Sequence, residues 1–257
     1  MLSREKCILA IRKWEKTRAN YNEIKSLISP TAAFSFNQKD CQWLKENNDN
    51  SKFHTYIGVY EDKLILIVVP LNKYGKEKEL ASYLISTLTK LNKQLIITQT
   101  DTVTTTKRTV LSENLEITKY SEQTDFSIYN EPTITERASV KDIEKWKNEC
   151  LDWFYYECNK SRGKNIFRTF TVPFSDVSRE NGKEDEVIAF FGFIQSSIYQ
   201  TQLPILIFVA IEGETRSAEI IRSQKEEGTL ETNTQDMSRP CPPLCKDDID
   251  YVLLVDE

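Results

Sequence analysis

Glycine is scarce in this sequence: the 257-residue chain contains 7 glycines in all. Loops that cradle phosphate groups need several glycines at fixed spacing, because only a backbone without Cβ approaches the phosphates closely. The sequence contains no phosphate-binding loop, no dinucleotide-binding fingerprint and no nucleophile elbow. These absences argue against the enzyme classes that depend on those motifs.

Histidine is scarcer still, since His54 is the single histidine. A histidine-dependent triad or a two-histidine metal site would have to be built around this residue, and a lone histidine in a strand is typically a hydrogen-bonded structural residue. Acidic residues are numerous but lie in solvated runs such as 184–186. Asp40 and Asp176 follow strand-like stretches, where they suit helix capping or turns. The sequence therefore predicts no catalytic residue and no cofactor.

No apolar run approaches the roughly 18–20 residues that a membrane-spanning helix needs. The first ten residues include Arg4, Glu5 and Lys6, and so lack the apolar core of a secretory leader. The sequence predicts a cytoplasmic protein that contacts no membrane.

Positive charge is in deficit, with a formal net charge of −5 and an isoelectric point near 5.3. Nucleic acids are polyanions, so an acidic chain without a Lys/Arg cluster among aromatic residues is not expected to bind them. Apolar residues make up 39% of the chain and charged residues 28%. A chain of this length and composition buries a core, either as one large domain or as two small ones.

Most of the six cysteines stand far apart in the sequence, which favours free thiols over a disulfide framework. Cys241 and Cys245 differ, because they stand four positions apart in the proline-rich segment 239–245. Three functional interpretations stay open for this pair: a redox dithiol, half of a metal site, or a rigid docking strip. A structural role is favoured, since a closed zinc site needs four ligands and the prolines disfavour the helix start that activates redox thiols.

Two continuous apolar runs dominate what the sequence does contain. Leu64–Leu71 and Leu203–Ile211 are short and rich in β-branched residues, which is typical of strands buried on both faces. Each run follows a strand-like stretch with a glycine between bulky apolar residues, and each pair of stretches predicts a β-hairpin. A glycine in mid-strand indicates a close neighbour, so we expect a helix to cross the sheet near Gly58 and Gly192.

Apolar residues at helical spacing predict a helix that is capped by Ser3 and extends to about Ile28, with a break near Asn20. A similar pattern predicts a helix capped by Ser139 in the second half. The other expected elements are a strand at 32–36, a helix at 38–46, a helix at 77–93, two or three exposed strands within 94–120, and a strand at 167–172.

The two halves of the chain resemble each other in the same order along the sequence, which favours duplication over chance similarity of short apolar strands. The matching residues are Trp14 and Trp146, Phe34 and Phe170, Gly58 and Gly192, and Ile65 and Ile205. We therefore predict an α+β fold of two tandem units, each a helix packed on an antiparallel sheet, related by a pseudo-two-fold axis. The first unit spans 1–132, with an inserted helix and strands at about 77–120, and the second spans 133–257.

The segment 236–245 reads Asp-Met-Ser-Arg-Pro-Cys-Pro-Pro-Leu-Cys. It resembles the C-terminal signature D-[FM]-[ST]-x-P-C-P-P-x-C of a group of small uncharacterised bacterial proteins. Those proteins also resemble this chain in an N-terminal helix, an aromatic-Gly-aromatic strand and an apolar run that ends near proline. In the first half, 125–132 keeps the opening of the signature and lacks both cysteines. The resemblance implies a tandem arrangement whose fold does not need the cysteines, and it transfers no activity.

The chain continues after the signature with an apolar stretch flanked by acidic residues. Its candidate partner-binding residues are Tyr251, Leu253 and Val255. Such a stretch pairs with an edge of the protein's own sheet or is offered to a partner, and the first alternative is favoured.

These patterns favour a non-enzymatic cytoplasmic interaction module, such as a subunit, adaptor or inhibitor of another protein. One alternative is a thiol or metal-binding protein that acts through Cys241 and Cys245. The other is a diverged enzyme with a site between the two repeats. The oligomeric state stays open.

Overall fold

The computed structural model describes residues 1–91, 95–101, 105–124, 136–174, 177, 186–195, 201–212, 217–220, 238–245 and 251–254. The helices are α1 (Arg4–Thr17), α2 (Tyr21–Leu27), α3 (Gln38–Asn47) and α4 (Glu136–Ser161). The strands are β1 (Leu2–Ser3), β2 (Ala32–Asn37), β3 (Lys52–Tyr60), β4 (Lys63–Val69), β5 (Ser82–Thr87), β6 (Thr89–Lys90), β7 (Leu95–Asp101), β8 (Thr105–Leu111), β9 (Ile117–Thr124), β10 (Thr169–Pro173), β11 (Glu186–Gln195), β12 (Gln202–Glu212), β13 (Ser217–Ile220) and β14 (Arg239–Cys241).

Side-chain caps define the helices of the first half. The Ser3 hydroxyl accepts a hydrogen bond from the backbone N–H of Lys6, which confirms the predicted start of α1. Asn20 caps α2, so the predicted break near this residue is confirmed. Asn37 and Asp40 form a reciprocal capping box at the start of α3, with the Asn37 N–H donating to the Asp40 carboxylate at 2.9 Å.

Both predicted hairpins are present. In β3–β4 the turn residues Glu61 and Asp62 have φ of 48° and 55°, as a two-residue type I′ turn requires. The turn closes with Tyr60 opposite Lys63. In the second hairpin β11 pairs with β12, and Gly192 lies opposite Ile205.

The strands form two sheets. Six strands are arranged in the order β1-β5-β4-β3-β10-β14, and eight in the order β6-β2-β11-β12-β13-β7-β8-β9. Neighbouring strands are antiparallel except for the pair β13 and β7. The prediction of an α+β fold is therefore confirmed.

The first strand of each hairpin pairs on its other side with a strand from the other half of the chain. Strand β10 pairs with β3, so that Phe170 lies opposite Thr55. Strand β2 pairs with β11, so that Phe34 lies opposite Ala189. Neither sheet is complete without residues from both halves.

Successive side chains of a strand point to opposite faces of its sheet, so the apolar residues form separate clusters on the two faces. In β4, Leu66 and Val68 belong to the large cluster between the sheets, whereas Ile65 and Ile67 belong to a cluster on the outer face. Strand β12 divides in the same way. Helix α1 packs on β3 and helix α4 packs on β11, so the layers run helix, sheet, sheet, helix.

The expected close crossings at the two mid-strand glycines are confirmed. A Cβ on Gly58 would lie 3.0 Å from the Ala10 Cβ of α1. A Cβ on Gly192 would lie 3.4 Å from backbone and side-chain atoms of Asp142 in α4 and 2.6 Å from Cδ1 of Ile207.

The predicted helix over 77–93 is wrong, because this stretch contains β5 and β6. Its leucines recur at intervals of three or four residues, which imitates one face of a helix. However, β5 pairs with β4 on one side, with Ile67 opposite Ile85, and with β1 on the other, with Leu2 opposite Tyr83. Pairing with neighbouring strands overrides the local pattern. The expected strands within 94–120 are confirmed as β7, β8 and β9.

The predicted start of the second long helix is also wrong, because α4 begins at Glu136 and Ser139 lies inside it. Three of the other predicted elements are confirmed within two residues of the expected bounds: β2, α3 and β10. Asp176 lies outside the described residues.

Replacing Gly58 or Gly192 with alanine tests how closely the helices approach the strands at these two positions. Gly58→Ala should destabilise the protein by about 1–3 kcal/mol, because the new Cβ would also lie 3.2 Å from the Ala10 carbonyl carbon, which belongs to the backbone. Gly192→Ala should cost less, since the end of the Ile207 side chain can rotate away. Urea denaturation of both variants measures the difference, and an equal or larger loss for Gly192→Ala would contradict it.

Asp142 occupies the position over Gly192 that Ala10 occupies over Gly58. Burial raises the pKa of its carboxyl group to about 6, against a smaller opposing effect of Lys145. Since the folded pKa exceeds the unfolded value of about 4, the protonated form stabilises the fold, and this contribution is lost as pH rises from about 4 through 6.

At pH 8 the partly buried Asp142 carboxyl group is charged and destabilises the folded state, so Asp142→Asn should raise the free energy of unfolding. The gain should be on the order of 1 kcal/mol, because solvent screens the charge of a partly exposed side chain. At pH 4 the variant and the parent should be equally stable. Urea denaturation across this pH range measures the effect. A variant that is no more stable than the parent at pH 8 would show that the charged Asp142 carboxyl group does not destabilise the folded state.

Candidate functional site

A fully buried carboxylate lies on the outer face of the six-stranded sheet. The Glu77 side chain is 0% exposed and the His54 side chain 2% exposed. Glu77 Oε1 lies 2.6 Å from His54 Nδ1, and the Tyr56 hydroxyl donates to the carboxylate at 2.6–2.7 Å. The backbone N–H of Val252 donates to Oε2 at 2.8 Å. We refer to His54, Tyr56, Glu77 and the Val252 N–H as the carboxylate cluster.

Local sequence fixes the position of each member. His54 and Tyr56 are two residues apart in β3 and so share a face of the sheet. A tight turn brings Glu77 over that face. In this turn Gly75 has φ of 78°, and the Asn72 side chain accepts a hydrogen bond from the backbone N–H of Tyr74. A bridge between Leu71 and Glu77 closes the turn.

Hydrogen bonds offset the cost of removing this carboxylate from water, because a buried charge without donors is strongly destabilising. Burial, and then the neighbouring Glu77, raise the pKa of Tyr56 far above its ordinary value. Tyr56 therefore stays protonated and acts as a donor throughout the physiological pH range.

Residues 251–254, the C-terminal segment, cover the carboxylate cluster. The centre of the Tyr251 ring lies 5.6 Å from that of the His54 ring and 6.0 Å from that of the Tyr56 ring. Leu253 is 1% exposed and belongs to the apolar cluster on this face. Arg4 donates to the carbonyl of Val252 at 3.4 Å.

The structure places Tyr251 and Leu253 against the protein's own core rather than on an open surface. The described residues of this stretch, 251–254, do not pair with a sheet edge, and the rest of it lies outside the described residues. The segment forms a turn, with the Leu254 N–H donating to the Tyr251 carbonyl, and it lies over the face of the sheet. Val255 lies outside the described residues.

Cys241 and Cys245, whose state the sequence left open, form a disulfide. Each sulfur is bonded to the other and is not available as a metal ligand in this state. Two cis peptide bonds, Cys241-Pro242 and Pro242-Pro243, lie within the loop that the disulfide closes. The remaining cysteines are free thiols, as predicted: Cys7, Cys41, Cys150 and Cys158.

Burial raises the pKa values of the Cys7 and Cys150 thiols to about 12, so neither is a thiolate at neutral pH. Within the part of the chain that the structure describes, no three His, Cys, Asp or Glu side chains are grouped as metal ligands.

A second candidate surface lies at the end of the eight-stranded sheet. Strand β9 is the terminal strand, and its residues 117–121 are all exposed. Ile117 is 43% and Tyr120 is 51% exposed. The other terminal strands, β1, β6 and β14, are 2, 2 and 3 residues long, and β14 contains Pro240, which has no N–H to donate. Long edge strands are templates for pairing with another chain.

The sequence interpretation missed Glu77 because it placed this residue at the start of a helix. No local signal distinguishes Glu77 from the exposed Glu79 two positions later. The burial of Glu77 results from contacts with β3 and with the C-terminal segment, which are distant in sequence.

Comparison with models of known protein families, with curated proteins and with solved structures gave no match. Within the described residues, no helix is both long and apolar enough to cross a membrane.

Glu77→Gln tests the carboxylate cluster, because the amide presents one acceptor oxygen where the carboxylate presents two. The amide nitrogen accepts no hydrogen bond, and the remaining oxygen carries no charge to strengthen the bonds from Tyr56 and Val252, so we expect a loss of about 2–4 kcal/mol in the free energy of unfolding. Glu79→Gln is the matched control, since the Glu79 side chain is 67% exposed, and it should change stability by less than about 0.5 kcal/mol. Urea denaturation gives both values, and equal losses would refute a special role for Glu77.

Proposed function

We propose that the protein is a non-enzymatic interaction module that binds an extended segment of another polypeptide along β9. The observation that carries the proposal is the length and exposure of this terminal strand, since β9 has eight residues and the other terminal strands have two or three. In strand addition, backbone hydrogen bonds supply affinity and alternate side chains supply specificity.

The side chains of β9 indicate what kind of segment it would accept. Lys119 lies among the exposed residues, and a lysine on an edge strand opposes indiscriminate pairing. An acidic residue opposite Lys119 and an apolar residue beside Ile117 would complement this edge. The partner is therefore an extended segment that combines acidic and apolar residues, as expected for a subunit, adaptor or inhibitor complex.

We further propose that the fold arose by tandem duplication, with units 1–132 and 133–257. The crossed pairing supports this, since Phe34 lies opposite Ala189 and Phe170 lies opposite Thr55. The packing of Ala10 over Gly58 and of Asp142 over Gly192 also supports it. The likeness of 236–245 to the bacterial signature, and a cytoplasmic location, stay predictions.

The competing interpretation as an enzyme with a site between the repeats gains no support from the described residues. The region between the sheets is filled by an apolar cluster that includes Phe34, Phe170 and Phe191. A small cavity there, lined by residues such as Phe36, Phe53 and Phe208, measures about 10 Å³, which is room for about one water molecule.

Added charge on β9 tests the proposed function. Ile117→Glu/Ser121→Glu should abolish capture of the polypeptide that the wild-type protein retains from its native host, because the added carboxylates repel the acidic residues of the proposed partner. Leu9→Glu is the control, since Leu9 is 63% exposed on α1, and it should capture as well as the wild type. Hydrogen exchange of the purified complex should then show protection of the β9 amides.

Capture that is unchanged in the β9 variant, or a complex in which the β9 amides exchange as fast as in the free protein, would overturn the proposal.

A further inference from the structure

We propose that the Cys241–Cys245 disulfide is a reversible redox site, which a dithiol reductant opens by attack on Cys245 while the fold stays intact. The disulfide begins in β14, a terminal strand of the six-stranded sheet, whereas β9 is a terminal strand of the other sheet. This inference therefore goes beyond the proposed function and does not depend on it.

The disulfide closes a very short loop, because its two cysteines are four positions apart. A disulfide stabilises a fold mainly by restricting the unfolded chain, and this stabilisation grows with the length of the closed loop. A loop of this size restricts the unfolded chain little. The bond is therefore a weak structural cross-link, and loss of it is compatible with a folded protein.

Other contacts hold this segment in place. All three residues of β14 pair with β10, and the backbone N–H of Arg168 donates to the carbonyl of Cys241 at 2.8 Å. Just before β14, the buried Ser238 hydroxyl donates to the carbonyl of Leu206 at 3.0 Å and accepts from its N–H at 2.5 Å. Opening of the disulfide breaks none of these hydrogen bonds, so β14 keeps its place in the reduced protein.

The two cysteines of the bond differ in access to solvent. Cys241 is 6% exposed and lies within the sheet. Cys245 is exposed beyond a turn in which the Leu244 N–H donates to the carbonyl of Pro240 at 2.9 Å. The rate of thiol–disulfide exchange depends on which sulfur the incoming thiolate can reach. Attack is therefore directed to Cys245, and Cys241 is the leaving group.

Reduction takes place in two displacement steps. A thiolate of the reductant bonds to Sγ of Cys245, the S–S bond breaks, and its electron pair leaves on Sγ of Cys241, which takes up a proton. The second thiol of the reductant loses its proton and displaces Cys245 from the mixed disulfide, and Cys245 is protonated in turn. Two electrons and two protons pass from the dithiol to the protein.

This chemistry suits the surroundings of the two cysteines. The attacking thiolate belongs to the reductant, so reduction needs no activated thiol in this protein. The prolines next to the cysteines, which disfavour the helix start that activates redox thiols, are therefore no obstacle. The disulfide is the substrate of a dithiol protein rather than a catalyst of exchange.

The first experiment measures reduction of the folded wild-type protein. Oxidised protein, mixed with thioredoxin, thioredoxin reductase and NADPH, should consume one NADPH per chain, because one disulfide is reduced. The near-UV circular dichroism should not change, and glutathione disulfide should then restore the bond. Cys245→Ser, which cannot form the disulfide, is the control and should consume no NADPH.

The proposal would be overturned if the folded protein consumed no NADPH while the urea-unfolded protein did. A near-UV signal that is lost on reduction would overturn it as well, since reduction would then unfold the protein.

A pair of variants tests the direction of attack. Cys241→Ser leaves the exposed cysteine of the pair, and Cys245→Ser leaves the buried one. With glutathione disulfide, Cys241→Ser should form a mixed disulfide at Cys245 at least tenfold faster than Cys245→Ser forms one at Cys241. Mass spectrometry of the peptide that contains 241–245 separates this reaction from any at Cys158, which is partly buried. Equal rates in the two variants would contradict the direction proposed.

Trapping on the wild-type protein keeps the direction measurable if either variant fails to fold. Thioredoxin whose second active-site cysteine is replaced by serine cannot complete the exchange, so the mixed disulfide accumulates. Fragmentation mass spectrometry should find thioredoxin on Cys245. Attachment to Cys241, or no covalent complex, would refute the proposed attack.

Discussion

The exchange of strands between the halves of the chain is the constraint on which the rest of the structure depends. Because β10 completes the sheet of the first hairpin and β2 completes that of the second, the apolar cluster between the sheets contains residues from both halves. Trp14 shows the consequence, since its indole N–H donates to the carbonyl of Phe167 at 2.9 Å. The two halves therefore fold as one cooperative unit rather than as two independent domains.

The carboxylate cluster lies on the face of one sheet, whereas β9 is the terminal strand of the other. Glu77 places a carboxylate in an apolar layer, where it accepts hydrogen bonds from Tyr56 of β3 and from the Val252 N–H, which are distant in sequence. In β9, by contrast, the side chains of residues 117–121 are exposed.

Local sequence patterns correctly predicted those elements whose structure depends on residues nearby in the sequence. The caps at Ser3 and Asn20, the two-residue hairpin turn and the glycine crossings are of this kind. The stretch 77–93 was predicted wrongly because its leucine spacing is helical, while its conformation is set by β4 and β1. The Glu77 site and the Cys241–Cys245 disulfide were not predicted, since each results from distances between side chains that spacing does not specify.

The crossed strand order has a consequence during synthesis on the ribosome. Strand β3 leaves the exit tunnel with its β4 partner close behind, but its other neighbour, β10, follows more than a hundred residues later. At the usual pace of translation this interval is on the order of 10 s. For that time the nascent chain carries an unpaired edge next to its most apolar strands, a state that favours aggregation until β10 emerges.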